Sequence, residues 1–243
     1  MQHQRPLGAR IWRRMRDIPW KVSRIRQSIL RSEFWELYRL VTPYTMVEYR
    51  RLEGLYLGVR RVVRNGIPGD IVECGAARGG SAALMGIVLK RMRSEKKLWL
   101  FDTFSGLPAP TSADPDYEIA RKFTGTCVGE LHEVKALFEQ FQILEGVNFV
   151  KGLFQATLPG AGVREIAFLH IDGDWYESVK ACLECLYHRV SPGGIIQIDD
   201  YEHWAGARKA VDEFMQKSAP GARLRYLDYT GRQIVKPSQA THS

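Results

Sequence analysis

Short apolar runs alternating with segments of helical period constrain this chain more than any other feature. The runs are "IVECGA" from Ile71, "LWLFDTF", "VNFVKG", "IAFLHID" and "GIIQIDD". A strand that is apolar on consecutive residues has no face to give to water, so it belongs in a sheet covered on both sides. Helices between such strands make the sheet parallel. Two further runs, "RLRYLDY" and "RQIVKP", are joined by only "TG", too short for a parallel crossover. They must pair as an antiparallel hairpin. The expected architecture is α/β: a five-stranded parallel core closed by a C-terminal antiparallel hairpin, with helices on both faces.

A chain of 243 residues, 45% of them hydrophobic, can bury such a core as one domain. Residues 45–243 are assigned to it, and residues 1–44 to a basic helical arm. Most of the formal charge of +8 comes from that arm, where residues 1 to 31 carry nine Lys or Arg against one acid, Asp17. The remainder is close to neutral, which argues against a nucleic-acid partner. Ile11, Met15, Ile18, Val22, Ile25 and Ile29 give the arm one apolar helical face, which Pro19 should break or kink. That face suits packing on the core or on a second subunit, and a homo-oligomer is expected; peripheral contact with an anionic membrane is the alternative use. No apolar run approaches a membrane span, and no signal-peptide core precedes the arm. Of the four cysteines only Cys182 and Cys185 form a CxxC pair, on a helical segment with nothing to complete a zinc set. Structural burial and a reduced, cytoplasmic setting follow. Within "YTMVEYRRLEGLY", Thr45 and Glu48 have the spacing of a capping box that starts a helix, which Gly66 and Pro68 end.

Ligands of open parallel sheets bind beyond the carboxyl ends of the strands. The first run ends "VECGAARGGSA", where Gly75, Gly79 and Gly80 allow a tight turn into a helix from about Ser81, whose free NH groups favour a negative ligand group. Ala76 and Ala77 stand where a dinucleotide fingerprint would have its second glycine, so a pyrophosphate fits poorly. Glu73 would repel phosphates but suits an ammonium group. The second run ends on Asp102, 27 residues after Gly75, where an acid is the usual partner of ribose hydroxyls. The alternative is that Asp102 caps the turn through Ser105 and Gly106. An ammonium, a carboxylate and a ribose together describe S-adenosylmethionine better than NAD. Glu73 is then assigned to the amino group, Gly79, Gly80 and Ser81 to the carboxylate, and Asp102, with Ser105 beside it, to the ribose.

The fourth and fifth runs end on acids, Asp172 and Asp174 in "HIDGDWYES" and Asp199 and Asp200 in "IIQIDDYEHW". Taken alone, Asp172 to Asp174 could be a turn, since Asp and Gly are the residues that turns use. In the usual sheet order the two strands are neighbours about 4.8 Å apart, and all four carboxylates share one rim. Carboxylates that close raise one another's pKa unless a cation sits among them. Oxygen-only ligands select a hard ion such as Mg²⁺. Asp172, Asp199 and Asp200 are the expected ligands, with Asp172 also beside the cofactor; Asp174 and Asp172 are the expected catalytic pair, Asp174 as acceptor of a hydroxyl proton. Vicinal hydroxyls of a sugar would chelate this ion well. The long segment "SGLPAPTSADPDYEIARKFTGTCVGE" reads as a lid or substrate loop.

With "YTMVEYRRLEGLY", "IPGDIVECGAARGGSA", "FDTFSGLP", "HIDGDWYES" and "SPGGIIQIDDYEHWAGARKAVDEF" in this order, residues 40–218 resemble the macrocin O-methyltransferase family. The resemblance implies a Rossmann-like class I methyltransferase fold, S-adenosylmethionine as methyl donor, Mg²⁺, and a sugar-containing acceptor on a glycan or glycosylated natural product. It further implies that Thr45 reaches the cofactor and that Leu153 and Phe154 lie on its adenine side. Asp172, Asp199 and Asp200 look like the family's magnesium ligands and Asp174 like its proton acceptor. Ala76 and Ala77 replace a bulkier pair. His203, Trp204 and Arg208 are candidates for the acceptor pocket. The main rival function is a metal-dependent glycosyltransferase using "DGD", which the lack of a diphosphate cradle disfavours; a non-enzymatic binding domain would be expected to have lost the rim acids.

Overall fold

The computed structural model describes residues 30–219 and 221–237. The amphipathic period from Ile11 to Ile29, its kink at Pro19 and the membrane contact assigned to it lie outside the described residues. The chain divides into two compact units, Met1–Leu40 and Val41–Ser243. Helix α1, residues 30–41, accounts for the described part of the first, and Trp35 and Tyr38 stack along it with centroids 5.4 Å apart.

In the second unit β1 (Asp70–Cys74), β2 (Leu98–Asp102), β3 (Val147–Lys151), β4 (Ile166–Ile171), β5 (Val190–Ile198), β6 (Arg225–Tyr226) and β7 (Arg232–Val235) form one sheet in the order β3-β2-β1-β4-β5-β7-β6. The first five are parallel, and β7 is antiparallel to β5 and to β6. Between them run α2 (Tyr49–Arg64), α3 (Gly80–Arg91), α4 (Tyr117–Ala120), α5 (Leu131–Gln140), α6 (Phe154–Thr157), α7 (Tyr176–Leu186) and α8 (Ala205–Ser218). Every residue of β4 is buried, as its unbroken apolar run requires of a central strand. Helix α3 is apolar nearly all round and is buried from Gly80 to Leu89. Helix α2 lies against the sheet on bare backbone: a Cβ on Gly58 would fall 2.3 Å from the Phe168 ring. Cys74 and Cys182 are both buried in the core, while Cys185 is half-buried.

The sheet order places the ligand crevice. The chain moves outward from β1 to β3 and returns to β4 on the far side of β1, so a gap opens at the carboxyl ends of β1 and β4. Cys74 pairs with Phe101 and Ile171, and Ile171 with Ile198. The ladder runs one step further, with Gly75 N donating to Phe101 O (2.9 Å), Asp172 N to Cys74 O (2.8 Å) and Asp199 N to Ile171 O (2.9 Å). Asp102, Gly75, Asp172 and Asp199 therefore stand side by side on one rim.

Two local expectations are corrected. Thr45 and Glu48 form no capping box: Thr42–Tyr44 make a 3-10 turn with Pro43 in its first turn, the chain then extends, and Thr45 Oγ1 accepts from Val47 N at 3.1 Å, leaving Glu48 as the N-cap of α2. The hairpin connection is residues 227–231 rather than "TG". Asp228 Oδ1 accepts from Thr230 N (3.1 Å) and Gly231 N (2.7 Å), which curls these residues off the ladder.

Candidate active site

A cavity of about 690 Å³ opens over the rim. Its wall is made by Gly75 to Arg78 after β1, Asp102 and Thr103 after β2, Asp172 to Asp174 after β4, Asp199 and Asp200 after β5, and the segment Tyr44 to Arg51. Gly75 has φ +94°, and a Cβ there would lie 1.8 Å from Asp172 O, so the turn after β1 can pass the β4 end only without a side chain. Three of the six non-glycine residues with positive φ among the described residues, Ala77 (+43°), Cys127 (+58°) and Asp174 (+56°), are in the cavity wall. Backbone held in this region is costly and concentrates where a site needs it.

On the cofactor side the expected residues separate. Thr45, Ser81, Asp102, Leu153 and Phe154 line the cavity. Asp102 also caps its own turn, though through Phe104 and not Ser105 or Gly106: Oδ1 accepts from Phe104 N at 2.6 Å, while Oδ2 braces the glycine turn through Ala76 N (2.7 Å) and Ala77 N (3.0 Å). Gly79 and Gly80 are not in the wall. Gly79 is the N-cap of α3 at φ +84°, and Gly80 is pressed on Tyr44, whose carbonyl would meet a Cβ at 2.6 Å. Ser105 is turned to solvent, its Oγ donating to Thr103 O at 3.1 Å. Glu73 does not face the cavity either. It is fully buried with Oε1 2.8 Å from His170 Nδ1, because it sits in the strand at the level of Leu100, two residues below Asp102.

On the acidic side carboxylate oxygens of Asp172, Asp174 and Asp200 lie within 4.8 Å of one another. Burial first, and then the charges of neighbouring aspartates, lift Asp172 and Asp174 well above the usual carboxylate range and Asp200 to about 6. Trp204 Nε1 donates to Asp174 Oδ1 at 3.0 Å. Asp199, expected as a third ligand, stands next to this group, but its Oδ2 accepts from Arg51 Nη1. Its Oδ1, like Asp200 Oδ2, is buried with no hydrogen-bond partner among the described residues. Clustered, desolvated carboxylates with unpartnered oxygens fit a hard divalent cation.

Arg51 and His170 escaped sequence reasoning. His170 is fully buried between Glu73 and Asp199, with Nε2 3.6 Å from Asp199 Oδ1. Burial pulls its pKa down, but Asp199 and Glu73 outweigh that and lift it to about 9. A signal was present: Glu73, His170 and Gln197 are each the last residue but one of an otherwise apolar strand end, and the registers Glu73 to His170 and His170 to Gln197 set them in one buried polar row.

The long loop is tied to the starts of α7 and α8. Asp114 Oδ1 accepts from Tyr176 N (2.7 Å) at the start of α7, Asp116 Oδ2 accepts from Ala205 N (3.0 Å) at the start of α8, and Trp175 Nε1 donates to Pro108 O (2.7 Å). Carboxylates at helix N-termini are favourably placed. So anchored, the loop presents Leu107, Pro108, Phe123 and Cys127 to the cavity. Phe123 meets Trp204 edge-on at 5.3 Å, and Trp204 meets Trp175 at 4.8 Å. His203 lines the cavity, whereas Arg208 stays outside it with Nη1 2.8 Å from Glu202.

A mostly parallel sheet in this order, with its crevice at the β1/β4 ends, is the class I methyltransferase fold. The solved O-methyltransferase NovP shares it at a TM-score of 0.75 and 33% identity, over 80% of this chain and 83% of that one. The family model described as Macrocin-O-methyltransferase (TylF) matches residues 33–234, and the chain belongs to that family. The 8-demethyl-8-(2,3-dimethoxy-alpha-L-rhamnosyl)-tetracenomycin-C 4'-O-methyltransferase of Streptomyces olivaceus is 37% identical over 193 residues, 77% of this chain and 74% of that protein. The demethyldecarbamoylnovobiocin O-methyltransferase of Streptomyces niveus is 36% identical over 194 residues, with the same shares. The protein is an O-methyltransferase, dependent on S-adenosylmethionine as its family is, and the glycosyltransferase reading is overturned. Among the described residues no helix is long and apolar enough to cross a membrane.

Proposed function

We propose that this enzyme methylates a sugar hydroxyl on a glycosylated natural product, with Mg²⁺ at the acidic rim. The observation that carries the reading is the convergence of Asp172, Asp174 and Asp200 within 4.8 Å in the wall of the cavity that also holds the glycine turn and Asp102. The names of the relatives, which give a rhamnosyl tetracenomycin and demethyldecarbamoylnovobiocin as their acceptors, support the acceptor class. For S-adenosylmethionine, Asp102 suits the ribose, Leu153 and Phe154 the adenine, and Ser81 and Thr45 the methionine end. Asp172 and Asp200 would hold the cation, with Asp199 contributing Oδ1, the oxygen that Arg51 leaves free. Bound there, a divalent cation supplies Lewis-acid stabilisation of the negative charge that develops on the acceptor oxygen.

Asp174 takes the proton. Trp204 fixes one of its oxygens, and the raised pKa brings the carboxylate closer to a working pH near neutrality than an ordinary aspartate would be. As the proton leaves, the acceptor oxygen bonds to the methyl carbon, the bond from that carbon to sulfur breaks, and the sulfonium departs as a neutral thioether. The loop and Trp204 give the acceptor an aromatic wall at Phe123 and help exclude water. Incubation with S-adenosylmethionine and a panel of glycosylated natural products, followed by mass spectrometry, tests this. One methyl mass should be gained with Mg²⁺, lost in EDTA and regained when Mg²⁺ is restored; full turnover in EDTA would sink the metal assignment.

A further inference from the structure

The methyl-transfer reading leaves Arg51 unused, an arginine built into the acidic rim. Arg51 leaves α2 and is buried, 8% exposed. Its Nη1 donates to Asp199 Oδ2 and its Nε to Asp228 Oδ2 at 3.2 Å. Its own carbonyl accepts from Gln197 Nε2 at 3.0 Å, which fixes that turn of α2 to β5. The 227–231 connection folds round its stem, because a Cβ on Gly231 would come within 2.8 Å of Arg51 Cγ. The guanidinium is therefore held from the β5 end on one side and from the hairpin on the other.

This arrangement has two electrostatic consequences. Four carboxylates gathered at one rim repel each other, and a buried carboxylate left without a counter-charge is strongly destabilising. Arg51 eases that problem at Asp199 Oδ2 when no metal is bound, while His170 Nε2 faces the other oxygen at 3.6 Å. A divalent cation that also uses Asp199 must then share it with a fixed positive charge, which weakens the attraction. We propose that Arg51 is a resident counter-ion that lets the rim fold without metal and, by competing for Asp199, holds the divalent cation in a weak, exchangeable range. This inference rests on the cation reading above. Asp228 has the opposite influence, since it draws Arg51 away from Asp199.

The two residues thus predict effects of opposite sign. Mn²⁺ binding followed by electron paramagnetic resonance, with neither S-adenosylmethionine nor acceptor present, should show Arg51→Met binding at least tenfold more tightly than wild type. The same variant should melt lower in EDTA and recover when Mn²⁺ is added. Asp228→Asn, which gives Arg51 wholly to Asp199, should bind Mn²⁺ severalfold more weakly. Equal or weaker binding by Arg51→Met, in a wild-type background that does bind Mn²⁺, overturns the role of Arg51 and leaves the metal reading standing. If Arg51→Met does not fold even with Mn²⁺, unchanged or tighter binding by Asp228→Asn overturns it instead. A wild-type protein that takes up no Mn²⁺ overturns both.

Discussion

Replacing Asp174 by Asn should lower activity and raise stability together. Asn keeps an oxygen for Trp204 Nε1 and tolerates the left-handed backbone that Asp174 adopts at φ +56°, so the fold around it is preserved. What it loses is the ability to accept a proton, and a positioned general base contributes about 10²- to 10⁴-fold, so kcat should fall by that factor. What it removes from the folded state is a half-buried negative charge whose neighbours lie within 4.8 Å. At an effective dielectric of about 20, two unit charges at that distance repel by roughly 3.5 kcal/mol. Asp174 is partly exposed, so solvent screens much of that repulsion and about 1 kcal/mol should be recovered, a rise in Tm of roughly 2–4 °C for a chain of this size. The assays are kcat at saturating S-adenosylmethionine and Mg²⁺, and thermal melting in EDTA. Activity within tenfold of wild type would remove Asp174 from the chemistry. A lower Tm in EDTA would show that the carboxylate is not under repulsion and would refute the electrostatic picture of the rim.

Metal-free stability should fall as pH rises from 6 to 9. Asp172, Asp174 and Asp200 (about 6) keep protons in the folded state that the unfolded chain, with carboxylates near 3.8, has already released, and His170 holds its proton to about 9 against 6.5 unfolded. In both cases the native state binds more protons, so stability present below the unfolded pKa is lost through the folded one. Stabilisation by Mg²⁺ should grow over the same range, because the ion needs deprotonated oxygens; calorimetry from pH 6 to 9 showing a flat or rising Tm in EDTA would contradict this. Gly58→Ala should destabilise by about 1–2 kcal/mol in urea unfolding, since crowding of Phe168 outweighs the roughly 1 kcal/mol that Ala gains over Gly in a helix. Asp114→Ala leaves Tyr176 N without its acceptor, at about 1–3 kcal/mol, and should make the 107–130 loop the first site of limited proteolysis and raise the acceptor KM more than the Kd for S-adenosylmethionine.

The rim was legible because it depends on little besides the backbone. Once alternating strands and helices imply a parallel sheet, strand ends must gather on one edge, and Asp102, Asp172, Asp174, Asp199 and Asp200 are all found in that cavity wall. Depth was less legible. Glu73 looked like a rim residue, yet its register partner on β2 is Leu100, so it sits two residues below Asp102, about 6.6 Å at the rise of a strand. Arg51 was hidden for another reason: it meets Asp199 across 148 residues, from a helix whose local pattern explains its burial equally well by packing. The depth of Glu73 was nevertheless open to reading from the sequence. With strand order β2-β1-β4-β5 in hand, the lone polar residues in "VEC", "LHI" and "IQI" fall opposite one another on a single buried face. The imidazole of His170 meets the Glu73 carboxylate at Oε1, while Oε2 is buried with no hydrogen-bond partner among the described residues. That row sets Glu73 and His170 one layer below the rim, with His170 Nε2 3.6 Å from Asp199 Oδ1 and Arg51 on the other oxygen of the same carboxylate.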